Sequence, residues 1–137
     1  MKIAIIDGLG GGLGCQIIKS FKTKLDEKAE LIALGTNSIA TSKMINAGAS
    51  RGATGENAIM LTTEVVDIIV GPLGIIIPNS MMGEVTKSIA EAIASSPAKR
   101  YLLGIKQPHV ELIGIREEVS INELLNELTD KVELYMS

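Results

Sequence analysis

The chain has 137 residues, 46% hydrophobic but only 2% aromatic, with one cysteine and a formal charge of −3. That length suits a single domain with an aliphatic core, and the acidic balance with few aromatics excludes a basic, base-stacking nucleic-acid surface. One cysteine excludes an internal disulfide, no apolar run reaches the roughly 18 residues of a membrane span, and the N-terminus has no basic, apolar leader pattern, so the expectation is a cytoplasmic protein without a membrane or nucleic-acid partner.

Residues 2–7 read as a buried strand, apolar on both sides as a central parallel strand is. A helix follows over about 12–25, with Gly14, Ile18, Phe21 and Leu25 on one face. A second strand spans 30–35 and runs into Gly35-Thr36-Asn37-Ser38, a turn and helix-cap cluster. The next helix covers roughly 38–47 and stops at Gly48. Residues 50–54 form a short edge strand, and a helix starting at 54–56 carries Ala58, Leu61 and Val65.

Residues 66–70 are another buried strand, ending at Gly71-Pro72-Leu73-Gly74; Ile75-Ile76-Ile77 is either its extension or an apolar loop. The pattern then predicts a helix over about 81–95 with Val85, Ile89 and Ile93 inward. Strands at 100–105 and 109–115, separated by Gln107-Pro108, suggest an antiparallel edge hairpin. Ser120-Ile121-Asn122-Glu123 is a capping box opening a last helix with Ile121, Leu124, Leu125, Leu128 and Val132 along one side. Strands alternating with helices predict a three-layer, Rossmann-like α/β domain, its sheet mostly parallel and joined by right-handed crossovers.

The chemistry-bearing stretch is Asp7-Gly8-Leu9-Gly10-Gly11-Gly12-Leu13-Gly14, with five glycines in seven residues between a strand and a helix. Side-chain-free residues let a backbone turn sharply and approach a ligand, and a helix start supplies unpaired N–H groups and positive dipole. This is the physical arrangement that holds a phosphate, and the strand–turn–helix context is what a dinucleotide site requires. A tight turn without ligand is the competing reading. On the binding reading, Gly8, Gly10, Gly11, Gly12, Leu13 and Gly14 seat the phosphate, Thr36, Asn37 and Ser38 meet the sugar, and Gly71 and Pro72 form the opposite wall.

Several roles stay open. Asp7 either ties the loop backbone or touches a ligand hydroxyl. Thr36 and Asn37 either hold a sugar or cap the second helix. Asn79 and Ser80 either reach into the crevice or, the favoured reading, cap the next helix. Cys15 in the first helical turn is either a reactive thiolate or, the favoured reading, a small packing residue. A lone histidine, His109, is a poor metal signal. The second strand ends without the acidic residue that binds the ribose of NAD, so NAD and NADP are both candidate cofactors. No Tyr-x-x-x-Lys pair, Walker lysine or Gly-x-Ser-x-Gly elbow is present.

At 6–14, at Ala33-Leu34-Gly35-Thr36-Asn37-Ser38-Ile39-Ala40-Thr41, at Arg51-Gly52-Ala53-Thr54-Gly55-Glu56-Asn57-Ala58, at Asp67-Ile68-Ile69-Val70-Gly71-Pro72 and at Gly83-Glu84, the chain resembles a small bacterial family of unknown function. The likeness covers nearly the whole chain and implies no assigned activity. The first half also resembles Rossmann nucleotide-binding domains, on one loop and the element order alone. Together these readings predict a nucleotide- or dinucleotide-binding accessory or sensor domain, a phosphate-bearing small-molecule partner and a homodimer. The alternatives are a small reductase or phosphate-ligand isomerase completed by another subunit, with His109 or Glu84 of a neighbouring chain in the crevice, and a ligand-free interaction module.

Overall fold

A computed structural model describes the chain except residues 26, 28 and 117. Its centre is β1 (Lys2–Asp7), in which every residue after Lys2 is buried. On one side β1 pairs in parallel with β2 (Glu30–Gly35), Lys2 opposite Glu30 through Asp7 opposite Gly35. On the other side it pairs in parallel with β4 (Ile68–Pro72), Ile3 opposite Ile68 and Ile5 opposite Val70. The short β3 (Arg51–Thr54) and β5 (Lys99–Leu103) complete a parallel sheet in the order β3-β2-β1-β4-β5. Strand order therefore reverses between β1 and β4, and the glycine loop leaves the sheet at that reversal.

Residues alternate across the sheet because successive strand side chains point to opposite faces. Ile3, Ile5, Leu31, Ala33, Ile68 and Val70 pack on the face covered by α1 (Gly12–Lys24), α2 (Ser38–Asn46) and α5 (Ile121–Met136). Ala4, Ile6, Ile32, Leu34 and Ile69 pack on the face covered by α3 (Glu56–Thr62) and α4 (Lys87–Ala94). Burial on both faces is why these strands read as continuous apolar runs. The α1 face buries Ile17 alongside Gly14, Ile18 and Phe21, while Leu25 is the residue that ends the helix. The Ser20 and Thr129 hydroxyls, 2.8 Å apart, join α1 to α5.

Three expectations are corrected. The antiparallel hairpin at 100–105 and 109–115 does not form. β5 runs parallel to β4, with Leu103 opposite Pro72. Beyond it only an isolated antiparallel bridge, Gln107 to Val110, is present among the described residues. Pro108 offers no N–H for a ladder. His109 (φ 61°) and Gly114 (φ 93°) take left-handed backbone that interrupts extension. The helix expected at 81–95 begins only at Lys87, capped by the Thr86 hydroxyl, which accepts from the Ile89 amide at 3.1 Å. Its expected first turn is instead a strap, because Met81, Met82 and Gly83 are all left-handed (φ 55°, 57° and 89°). In α3 the buried residue is Ile59; the helix ends at Thr62, leaving Leu61 and Val65 exposed.

The ambiguous 75–77 stretch follows β4 as a 3-10 turn, Leu73–Ile76, with Ile75 buried beneath it. No helix among the described residues is long and apolar enough to cross a membrane.

Candidate functional site

The glycine loop leaves β1 at Asp7, which is buried. The Asp7 carboxylate accepts from the Gly8 amide at 2.8 Å and from the Gly14 amide at 2.7 Å. Of its two open roles, the structure shows the loop tie. Gly14 is the third residue of α1, and Gly11 before that helix has no side chain to cap it. The carboxylate of Asp7 thus satisfies a helix-start donor from the end of a strand.

Loss of solvent raises the Asp7 carboxyl; the Gly14 and Gly8 amides work against this, and the charge of Glu84 adds to it, so its pKa lies above the ordinary aspartate range. The folded chain therefore holds that proton to higher pH than the unfolded chain does. Stability falls as pH rises through the interval between the ordinary Asp range and the raised value. Asp7→Asn, which does not titrate, is expected to remove this slope; denaturant melts of both proteins between about pH 4 and 7 read the difference.

The loop glycines divide into two sets. A Cβ at Gly8 would stand 2.4 Å from Thr36 Oγ1, one at Gly14 2.5 Å from Met44 Sδ, and one at Gly11 2.8 Å from Ala40 Cα. Gly11 also has φ 72°, in the turn closed by its amide on the Gly8 carbonyl at 2.9 Å. These three are glycines because the chain packs there. Gly10 and Gly12 differ, since a Cβ on either would meet nothing within 4 Å and neither is left-handed. Both are exposed, and the amides of Gly10, Gly12 and Leu13 donate to no described residue.

On the β2 side, two of the three expected sugar residues, Thr36 and Asn37, are already engaged. Asn37 Oδ1 accepts from the Ala40 amide at 2.9 Å, capping α2, while its Nδ2 donates to the Leu9 carbonyl at 2.9 Å. Ser38 is exposed, and its hydroxyl makes no hydrogen bond among the described residues. Three donors then converge on Glu84 Oε1: the Thr36 hydroxyl at 2.6 Å, Asn37 Nδ2 at 2.8 Å and the Leu9 amide at 2.9 Å. Glu84 Oε2 accepts from no described residue. Partial desolvation pushes the Glu84 carboxyl up, but these three hydrogen bonds outweigh it and hold its pKa below the ordinary glutamate range.

Glu84 reaches the glycine loop from its own chain, on the strap between the 3-10 turn and α4. Sequence reading considered it only as a neighbour's contribution, because 48 residues separate it from Thr36 and the stretch reads as helix. Asn79 and Ser80, expected to cap that helix, do not: Thr86 is the cap, and the Ser80 hydroxyl donates to the Gly74 carbonyl.

Gly71 and Pro72 are buried within β4, and a Cβ at Gly71 would lie 2.5 Å from the Ile6 carbonyl oxygen. Cys15 is half-buried against the α1-side core, as a packing residue is. No cluster of metal-ligating side chains occurs among the described residues. Beyond β4 and β5 lies a hollow of about 870 Å³ whose lining is mixed, with Leu73, Ile105 and Leu112 beside Lys106, His109 and Arg116.

Parallel strands in this order, with a glycine turn at the end of the central strand, define a doubly wound, Rossmann-like α/β protein. The chain belongs to the family DUF3842, a domain of unknown function, whose model matches residues 2–137. No curated protein sequence matches it. Among solved structures it is similar to a dodecameric FMN-dependent UbiX-like decarboxylase from Escherichia coli O157:H7. The TM-score is 0.54 at 10% identity, over 99% of this chain and 94% of that chain. At that identity the likeness is one of fold.

Proposed function

We propose that the protein binds a phosphate-bearing nucleotide cofactor, of flavin or nicotinamide type, at the reversal between β1 and β4, as an accessory or sensor domain. The observation that carries this reading is the pair Gly10 and Gly12. Neither is required by packing or by backbone conformation, and both stand beside amides without a partner. Side chains there would fill the space over those amides, which is the space a phosphate uses. The charge of Glu84 on the Leu9 amide directs the phosphate toward the Gly10–Leu13 end of the loop.

Two further facts support the reading. The related fold belongs to a protein described as FMN-dependent. The hollow beyond β4 and β5, about 870 Å³ and lined by both apolar and charged side chains, has a volume in the range that takes a small ligand, though none of the glycine-loop residues lines it. Calorimetric titration with FMN, FAD, NAD and NADP tests it. Saturable binding of at least one, at micromolar concentration, is expected. Absence of heat from every one, with a folded sample, overturns the reading.

A further inference from the structure

Resting on the nucleotide reading above, we propose that Glu84 selects the ligand: its free Oε2 accepts a hydroxyl of a ribose held beside the loop and rejects a nucleotide phosphorylated at that hydroxyl. Dinucleotide folds place an acidic side chain at the end of the second strand to take the ribose hydroxyls. Here β2 ends in Gly35-Thr36-Asn37, with no acid. The Thr36 hydroxyl and Asn37 amide both point their hydrogens at Glu84 instead. An acid from the strap after β4 therefore occupies the place at the end of β2 that the local sequence leaves empty.

The geometry suits a fixed acceptor. Oε1 is held by three donors from three separate segments, Leu9 in the loop, Thr36 and Asn37 after β2, so the carboxylate plane is set before any ligand arrives. Oε2 keeps its lone pairs, and the side chain is half-exposed at the carboxyl ends of β1 and β2. No lysine or arginine pairs with Glu84 among the described residues, so its charge stands uncompensated by any cation. A carboxylate in this state accepts strongly from a hydroxyl. Toward a phosphate monoester it presents like charge and no donor.

The experiment compares NAD and NADP, which differ only by the phosphate on one ribose hydroxyl, using the full chain. NAD is expected to bind the wild-type protein about tenfold or more tightly than NADP. Glu84→Gln retains a carbonyl oxygen to accept from Leu9, Thr36 and Asn37 but removes the charge, and its preference is expected to collapse to about onefold. Circular dichroism and a thermal melt confirm that the variant is folded; the wild-type comparison needs no variant. NADP binding as tightly as NAD, or a preference that survives Glu84→Gln, overturns the proposal and leaves the nucleotide reading intact. Binding of FMN with neither dinucleotide does the same. Binding of no nucleotide overturns both.

Discussion

Gly12→Asp is expected to fold as well as the parent and to lose about a hundredfold in nucleotide affinity. Gly12 is the first residue of α1, its backbone is not left-handed, and a Cβ there has open space. A carboxylate in the first helical turn stabilises by about 0.3–1 kcal/mol through the helix dipole. The same carboxylate takes the position of the phosphate and repels it. A hundredfold is about 2.7 kcal/mol, below the ~4 kcal/mol of two like charges 4 Å apart near a protein surface. Gly12→Ala keeps the amide and adds only a methyl, so its loss should be far smaller. Thermal melts with calorimetry of parent, Ala and Asp variants separate the two effects. An Asp variant that is stable yet binds as the parent does would show that the phosphate sits elsewhere.

Gly71→Ala is expected to cost about 3 kcal/mol of stability and to lower Tm by about 10 °C. Its Cβ would fall 2.5 Å from the Ile6 carbonyl oxygen and 2.8 Å from Ile75 Cδ1. The first of these atoms is backbone of the central strand, so relief requires β4 to move away from β1. That movement strains the pairing of Ile3 with Ile68 and Ile5 with Val70. Gly10→Ala, whose Cβ meets nothing, is the matched control, with a change within about 0.5 kcal/mol. Urea melts of both variants provide the measurement. Equal stability of the two would mean that the β1–β4 spacing adapts to a methyl group.

The layered α/β fold was legible wherever burial and period agreed. The centres of β1, β2 and β4 (3–6, 31–34 and 68–70) are apolar at every position because both sheet faces are covered, and α1 and α5 carry stripes at helical spacing. The strap at 77–86 was not legible. Val85 within it keeps helical spacing with Ile89 and Ile93 of α4, yet Met81 and Met82 adopt left-handed backbone that no local pattern announces for methionine. Tertiary contacts impose it, since Met81 packs under Gly8 and Glu84 is drawn to three donors on other segments. The missing hairpin has a similar origin. Pairing of β5 with β4 along Ile68–Lys99 to Pro72–Leu103 is non-local and sets where the strand ends.

The glycine loop shows the same division within seven residues. By itself the sequence determined that a strand meets a helix through a turn rich in glycine, because glycine alone tolerates the turn's geometry and a helix start always leaves unpaired amides. Only the tertiary structure decided which of those amides remain free. Asp7 takes two, the Gly8 carbonyl takes one and Glu84 takes another, while Gly10, Gly12 and Leu13 keep theirs. The reason is distance along the chain: periodicity and turn chemistry act over a few residues, whereas the carboxylate that completes this cluster arrives from a strap 75 residues beyond Leu9.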